Sequence, residues 1–318
     1  MIEIVISEND GNQRFDRFLR KYLENAPLSL IQKNIRKKNF KINDKRAKND
    51  DFVYPGDNVK MYISDGDYKK WLRKTDYKST DFDLDIVYED ENIIIMDKKE
   101  GLLTHSSSKK DYGNNLVDQM TSYLYKTGKV DRSDRTFRPA VVNRLDRNTQ
   151  GLVIGAKNAT ALRSLNKAIK ENKVDKYYLT IVSGKITRDF EVESTIGKNE
   201  NKNKVKAQKS GKAIKTYFRP FETNGKYTLL ECRLDTGRTH QIRFSLMENK
   251  TPIIGDRKYG LREVNDKFKD LGINNQILLA YKLVFGKVEG LEYLEGKEFI
   301  SNKQKSIYEL KDTIFKRS

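Results

Sequence analysis

VVNRLDRNTQGLVIGAKNATALRSLNKAIKENK, residues 141–173, reads as strand, turn, strand and helix in succession. Val141, Val142 and Leu145 predict a short apolar strand that stops at Asp146. GLVIGA, an apolar run between polar residues, predicts a second strand. From Asn158 the period lengthens: Leu162, Leu165, Ala168 and Ile169 share one helical face, with Asn158 or Thr160 as the cap. Thr149 and Gly151 suit a tight reversal between the strands, so that Asp146 projects from it. That one carboxylate stands between Arg144 and Arg147, in a chain of 318 residues with a net charge of +18.

Outward from this unit, residues 82–318 are strand-rich. LDIVYED, NIIIMD, KYYLTIVSGKI, KTYFRPF and YTLLECRLD are strand candidates, and HQIRFSLM is either a strand or the opening of a helix. The lysine-rich run GKNENKNKVKAQKSGKA (197–213) predicts a mobile loop, and SNKQKSIYELKDTIFKR predicts a closing helix on Ile307, Leu310 and Ile314. Together they predict an α+β fold around a large mixed or antiparallel sheet. Residues 1–63 predict a smaller α/β unit. Ile2, Ile4 and Ile6 alternate as a strand; Phe15, Phe18, Leu19 and Tyr22 fall at helical spacing. A second helix follows Pro27, capped by Ser29, with Leu30, Ile31 and Ile35 as its stripe. Strands at Phe40–Ile42 and Val59–Ile63 close the unit, the first turning at Asn43-Asp44. Residues 64–81 are polar and read as a linker, in which Trp71 and Leu72 are too isolated for a core.

Composition narrows the function. The 63 Lys and Arg against 45 Asp and Glu predict a polyanionic partner, bound with steep salt dependence. One cysteine, Cys232, excludes an intramolecular disulfide framework and fits a reducing compartment. With His105 and His240 as the only histidines, a zinc site is not expected. The longest apolar runs are strand-sized, and the acidic, alternating N-terminus is unlike a signal peptide. A cytoplasmic monomer without a membrane anchor is the expectation. No phosphate-cradling loop, dinucleotide fingerprint, serine nucleophile elbow or zinc-deaminase signature is present, which disfavours nucleotide hydrolysis, hydride transfer and zinc-water chemistry.

Two basic stretches remain. Helices over 14–38 keep an apolar stripe while Arg14, Arg17, Arg36 and Lys37 face elsewhere, as an RNA-docking surface requires. At NRLD, flanking arginines hold Asp146 ionised. An ionised carboxylate inside a positive surface suits a nucleophile or base acting on a bound nucleotide. Tyr178 can stack on a base, and Arg243 can compensate a buried carboxylate.

The 14–57 stretch resembles the S-four-like (α-L) RNA-binding module: Arg14, Asp16, Phe18-Leu19, Ser29, Ile35-Arg36, Ile42-Asn43 and Gly56-Asp57 carry the likeness. Arg144-Leu145-Asp146 with Thr149 and Gly151-Leu152 resembles the catalytic motif of the RluA family of RNA pseudouridine synthases. Tyr88-Glu89-Asp90, Lys98, Gly101-Leu102, His105, Lys176, Tyr178, Thr236-Gly237-Arg238, His240-Gln241, Arg243, Gly255-Asp256 and Tyr259-Gly260 match further family motifs in order. Asn143 stands in place of the family's His, Gln150 of its Ser, Asp97 and Lys99 of its Asn-Lys-Pro frame, and Leu279 of a His. The resemblance implies a pseudouridine synthase fold over 82–318 and conversion of uridine to pseudouridine in RNA, most like the large-subunit ribosomal RNA branch. It implies Asp146, Tyr178 and Arg243 as catalytic residues. Arg144, Arg147, Lys176, Arg238, His240 and Gln241 would contact RNA, and no cofactor or metal takes part.

Overall fold

A computed structural model of the chain describes residues 1–72, 79–131, 134, 136–199, 204–208 and 211–317. Its N-terminal part contains β1 (Ile2–Val5), β2 (Gln13–Arg14), α1 (Phe15–Tyr22), α2 (Leu28–Arg36), β3 (Phe40–Ile42), β4 (Lys45–Arg46), β5 (Phe52–Val53), β6 (Asn58–Met61) and α3 (Asp65–Trp71). Strands run antiparallel in the order β1-β6-β3-β4, with β2 and β5 as a separate pair. Phe15, Phe18 and Leu19 bury one face of α1, and Ile31 and Ile35 bury one face of α2. That spacing leaves Arg17, Arg20, Arg36 and Lys37 exposed. Asn43 and Asp44 both take positive φ (47° and 64°), as a two-residue hairpin turn demands.

Two sequence expectations change here. Ser29 lies inside α2, not at its cap. The helix starts directly after Pro27, whose carbonyl accepts from Leu30 and Ile31; proline favours the first turn because its missing N–H is not needed there. The 64–81 segment is also more than a linker. Ser64 accepts from the Asp67 N–H at 3.0 Å to cap α3, and Trp71, 6% exposed, joins the core of Phe15 and Phe18. Tyr68 and Leu72 pack beside it, and Asn25 donates to Trp71 O (3.0 Å) and Leu72 O (2.8 Å), so the seven-residue helix is docked by a group of contacts in which the buried aromatic, worth roughly 3–5 kcal/mol, is the largest. Residues 73–78 lie outside the described residues.

The remainder contains β7 (Ile86–Glu89), β8 (Ile93–Lys98), α4 (Leu116–Lys126), β9 (Ala140–Val141), β10 (Gln150–Ala156), α5 (Ala159–Lys170), β11 (Val174–Ser183), β12 (Phe190–Asn199), β13 (Lys204–Ala207), β14 (Lys212–Thr223), β15 (Tyr227–Leu234), α6 (Gln241–Glu248), α7 (Arg262–Asp266), β16 (Leu278–Phe285), β17 (Glu298–Ile300) and α8 (Gln304–Lys316). One sheet runs β13-β12-β14-β15-β11-β16-β10-β8-β7, with β9 on β10 and β17 on β16. The β10–β16 pair is parallel and the other pairs are antiparallel, so the sheet is mixed. Alternation explains why its strands are apolar on both sides. Ile94, Met96, Val153 and Tyr178 face a core with α4 and α6, while Ile93, Ile95, Leu152 and Ile154 face α5. Leu179 and Ile181 meet Ile307 and Ile314 of α8.

HQIRFSLM resolves as helix α6. The predicted loop at 197–213 is largely strand: β12 continues to Asn199, β13 pairs back onto it, and β14 begins at Lys212. Val205 buries against Ile196, Phe244 and Tyr259, partners distant in sequence that hold a lysine-rich segment in the sheet. Residues 200–203 and 209–210 lie outside the described residues. Helix α4, capped by Asn115 on the Asp118 N–H at 3.0 Å, was not foreseen. Asn9 joins the two parts of the chain, its amide donating to Asp134 (2.7 Å) and accepting from the Ala159 N–H (2.9 Å). Among the described residues, no helix is long and apolar enough to cross a membrane.

Candidate active site

The strand expected to deliver Asp146 is only two residues long. After Val141, one further backbone bond, Val142 N–H to Ile154 O at 2.9 Å, keeps the chain beside β10. Side chains then take over the pairing. Asn143 donates to Leu152 O (3.1 Å) and accepts from the Ile154 N–H (2.8 Å), so this residue extends the ladder with its amide. Buried Thr104 grips Leu145 from both sides, donating to its carbonyl (2.9 Å) and accepting from its N–H (3.1 Å). The Thr149 N–H closes the turn on Asp146 O at 3.1 Å. Gly151 (φ 113°) then enters β10 so close to β16 that a Cβ would lie 2.2 Å from Ala280 O.

Lys98 supplies the third support. Its buried ammonium donates to Lys99 O (3.0 Å), Leu102 O (2.8 Å) and Arg147 O (2.9 Å), which matches its three protons to three carbonyls. Burial pushes its pKa down to about 8, opposed by the nearby charge of Asp146. Gln150 donates to Glu100 Oε2 at 3.2 Å, giving that departure from the family pattern a local partner.

On the opposite side, α6 presents Arg243. Its Nη1 donates to Asp146 Oδ2 (2.9 Å), while Nε and Nη2 donate to Asp256 at 2.7 and 2.9 Å. The guanidinium is therefore shared by two carboxylates, and Asp256 is fully buried. Burial opposes ionisation of Asp256, but Arg243 and the Lys258 and Tyr259 N–H groups outweigh it and hold the carboxyl below its usual range. His240 lies beside them with Nε2 3.7 Å from Asp146 Oδ2. Burial lowers its pKa, and the charge of Asp146 only partly offsets that.

Tyr178 faces the same cleft, after a register shift in the β11–β16 ladder that re-aims the strand. Burial, with the charge of Asp146, raises its phenol pKa, so the hydroxyl stays protonated. Leu145, Leu234, Ile242 and Leu278 add apolar walls. A carboxyl group anchored at one oxygen, a neutral phenol and apolar walls form a slot suited to a flat, uncharged ring.

The structure brings Arg144, Asp146, Tyr178, Arg238, His240, Gln241 and Arg243 to this cleft, with Arg144 and Arg238 on its exposed rim. Several expectations are corrected. Among the described residues, the ion-pair partner of Asp146 is Arg243, with the imidazole of His240 beside it, and not its neighbours Arg144 and Arg147. Arg147 is exposed outside the cleft, and Lys176 is buried away from it, donating to Val174 O at 3.1 Å. The Gln241 amide is fully engaged within the protein. It accepts from Thr236 (2.8 Å) and the Arg238 N–H (3.0 Å), and donates to Lys215 O (3.0 Å) and Thr216 (2.9 Å). Arg14, Arg17, Arg36 and Lys37 lie on the N-terminal part; Arg14 is paired with Asp16 at 3.0 Å. Lys98 and Asp256 were seen only as motif matches; a charged residue within an apolar strand was the available signal for Lys98.

Residues 92–248 match the family described as RNA pseudouridylate synthase. A ribosomal large subunit pseudouridine synthase C from Buchnera aphidicola subsp. Baizongia pistaciae is 33% identical over 290 residues, 88% of either chain. An uncharacterized RNA pseudouridine synthase of Mycoplasma capricolum is 33% identical over 312 residues, 95% of this chain and 98% of that one. The solved structure of human RNA pseudouridylate synthase domain containing 4 superposes with a TM-score of 0.55 at 18% identity, covering 73% of this chain and 92% of that one, which supports the fold. The chain belongs to the RNA pseudouridylate synthase family, RluA type. It is an isomerase that acts on uridine in RNA.

Proposed function

We propose that this enzyme converts one or more uridines of large-subunit ribosomal RNA to pseudouridine, using Asp146 as its essential carboxylate. The observation that carries the reading is the Arg243–Asp146 contact of 2.9 Å in a cleft walled by Tyr178. Relatives named ribosomal large subunit pseudouridine synthase C, that of Buchnera among them, favour that RNA as substrate. The enzyme works in the cytoplasm, as a monomer.

The chemistry conserves every atom of the nucleotide. The N-glycosidic bond breaks, the uracil turns while still held, carbon 5 joins carbon 1 of the ribose, the carbon-5 proton passes to solvent and the freed N1 takes up a proton, so the composition is unchanged. Asp146 either adds to the ribose or removes a sugar proton, and Arg243 holds its Oδ2 in place for either step. Tyr178 stacks on the uracil. A phenol held neutral suits stacking and the passing of a proton, not service as an anionic base. Arg144, exposed at the rim, fills the space left by the extruded base, and Arg147 and Arg238 meet phosphates. Extrusion costs a few kcal/mol, least for a uridine already in a loop.

The test is tritium release from transcribed ribosomal RNA carrying uridine labelled at carbon 5, followed by mapping of the modified positions. No release from ribosomal RNA, beside release from another labelled RNA such as transfer RNA, would overturn the substrate assignment.

The N-terminal part serves as an S-four-like RNA-docking module. Its end belongs at residue 72, because Trp71 packs into its core. Deleting residues 1–72 removes exposed Arg17, Arg36 and Lys37. It is expected to weaken RNA binding at least tenfold and to flatten the dependence of log K on log salt by about 0.7–0.9 per lost phosphate contact. Filter binding over a salt series measures both, and unchanged values would exclude the docking role.

A further inference from the structure

The two oxygens of Asp146 have different surroundings. Arg243 Nη1 at 2.9 Å and His240 Nε2 at 3.7 Å both approach Oδ2. Among the described residues, no hydrogen bond reaches Oδ1. His240 is held from its far side: Nδ1 lies 3.0 Å from the Tyr259 hydroxyl, and the rings meet edge to face at 5.6 Å. The same hydroxyl accepts from the Val205 N–H at 2.9 Å, so the seating of β13 helps to place the ring. The backbone of His240 is left-handed (φ 55°, ψ 20°), a conformation that persists in a non-glycine residue only where its surroundings over-determine it. Gln241, bonded to both ends of the preceding turn, provides that constraint. With its side chain 8% exposed, His240 is poorly placed to meet a phosphate.

We propose that His240, locked by Tyr259, is a positioning residue for Asp146. Together with Arg243 it anchors Oδ2 and fixes the carboxylate rotation, so that Oδ1 is the oxygen presented to the nucleotide. This rests on the reading that Asp146 acts on the substrate. The charged and titratable groups around the ring are Asp146, Arg243, Lys258, Asp256 and Tyr259, and burial keeps the imidazole neutral. At 3.7 Å the contact is electrostatic. A shift of about 0.7 Å makes it a hydrogen bond, the kind of tightening catalytic contacts undergo when substrate binds.

His240→Asn and Tyr259→Phe test the proposal in the full-length enzyme. Asparagine tolerates the left-handed backbone, and phenylalanine removes only the hydroxyl. Turnover under single-turnover conditions is expected to fall about 100-fold in His240→Asn and on the order of tenfold in Tyr259→Phe, with RNA affinity unchanged in both. Were His240 an RNA contact, binding would weaken and the bound-state rate would hold; that outcome, or wild-type rates in both variants, overturns the proposal. Asp146→Asn in the same assay separates the two readings. Turnover in Asp146→Asn sinks the catalytic assignment itself. An inactive Asp146→Asn beside fully active His240→Asn and Tyr259→Phe sinks only this inference.

Discussion

Asp146→Asn is expected to lower pseudouridine formation by roughly four orders of magnitude, the scale on which an essential carboxylate acts, while RNA binding persists. An amide is the same size and still accepts one bond from Arg243, but it is neither a nucleophile nor a base. Stability should not suffer. Asp146 and Asp256 share one guanidinium, so the cluster carries a net negative charge that the substitution removes. Arg243 keeps its two bonds to Asp256, and the buried Lys98 ammonium, which loses one nearby negative charge, keeps its three carbonyl acceptors. A melting temperature equal to or above that of the parent, beside lost activity, is the expected signature of a site that trades stability for function. Tritium release and filter binding on one RNA provide the readout, and turnover retained by the variant would end the assignment.

How far the sequence alone reached is clearest at this same turn. An acid at the end of an apolar strand, in a basic chain, drew attention to Asp146, and the motif order drew it to Tyr178 and Arg243. The structure places all three at one cleft. The sequence offered two sources of a cation, the flanking arginines and the distant Arg243, and the structure gives Asp146 to the second. Arg144 and Arg147 are adjacent in sequence, yet both side chains are exposed, and the partner comes from α6, 97 residues on. Local charge proximity is a poor guide where the chain turns sharply. Asn143 gives the same lesson: its amide stands in for a strand's backbone pairing, a role that depends on where β10 passes.

The fold was legible where apolar periodicity was strong, as in β8, β10, α5 and α8. It was hidden where contacts distant in sequence decide. Trp71 turns a polar segment into a docked helix, and Val205 draws a lysine-rich stretch into the sheet through Tyr259 and Phe244. Lys176 was expected at RNA because the family resemblance pairs it with Tyr178. Its neighbours are instead the interior of β11, where burial lowers its pKa.

Arg243→Leu is expected to damage the enzyme in two separable ways. It leaves Asp256 buried without its cation, and breaking one side of a buried ion pair costs about 3–5 kcal/mol. It also frees Asp146 Oδ2, and a misplacement on the order of 1 Å lowers turnover about 100-fold. The stability loss must depend on pH in a definite direction. In the parent, Asp256 has a folded pKa below its unfolded value of about 3.9, so its contribution is present above that pH and fades as pH falls through the folded value. In the variant, burial without Arg243 raises the same pKa, and the carboxyl regains stability by protonating as pH falls. The gap in unfolding free energy should therefore be widest near neutrality and shrink toward about pH 4. Adding Asp256→Asn to Arg243→Leu removes the unpaired charge and keeps an acceptor for the Lys258 and Tyr259 N–H groups. It should recover most of the stability, since a buried ion pair replaced by neutral groups is often no less stable. Activity should stay lost, because the anchor of Asp146 is still missing. Denaturant melts at several pH values and tritium release on the three proteins decide the matter. Activity returning with stability would mean that Arg243 only holds the fold together.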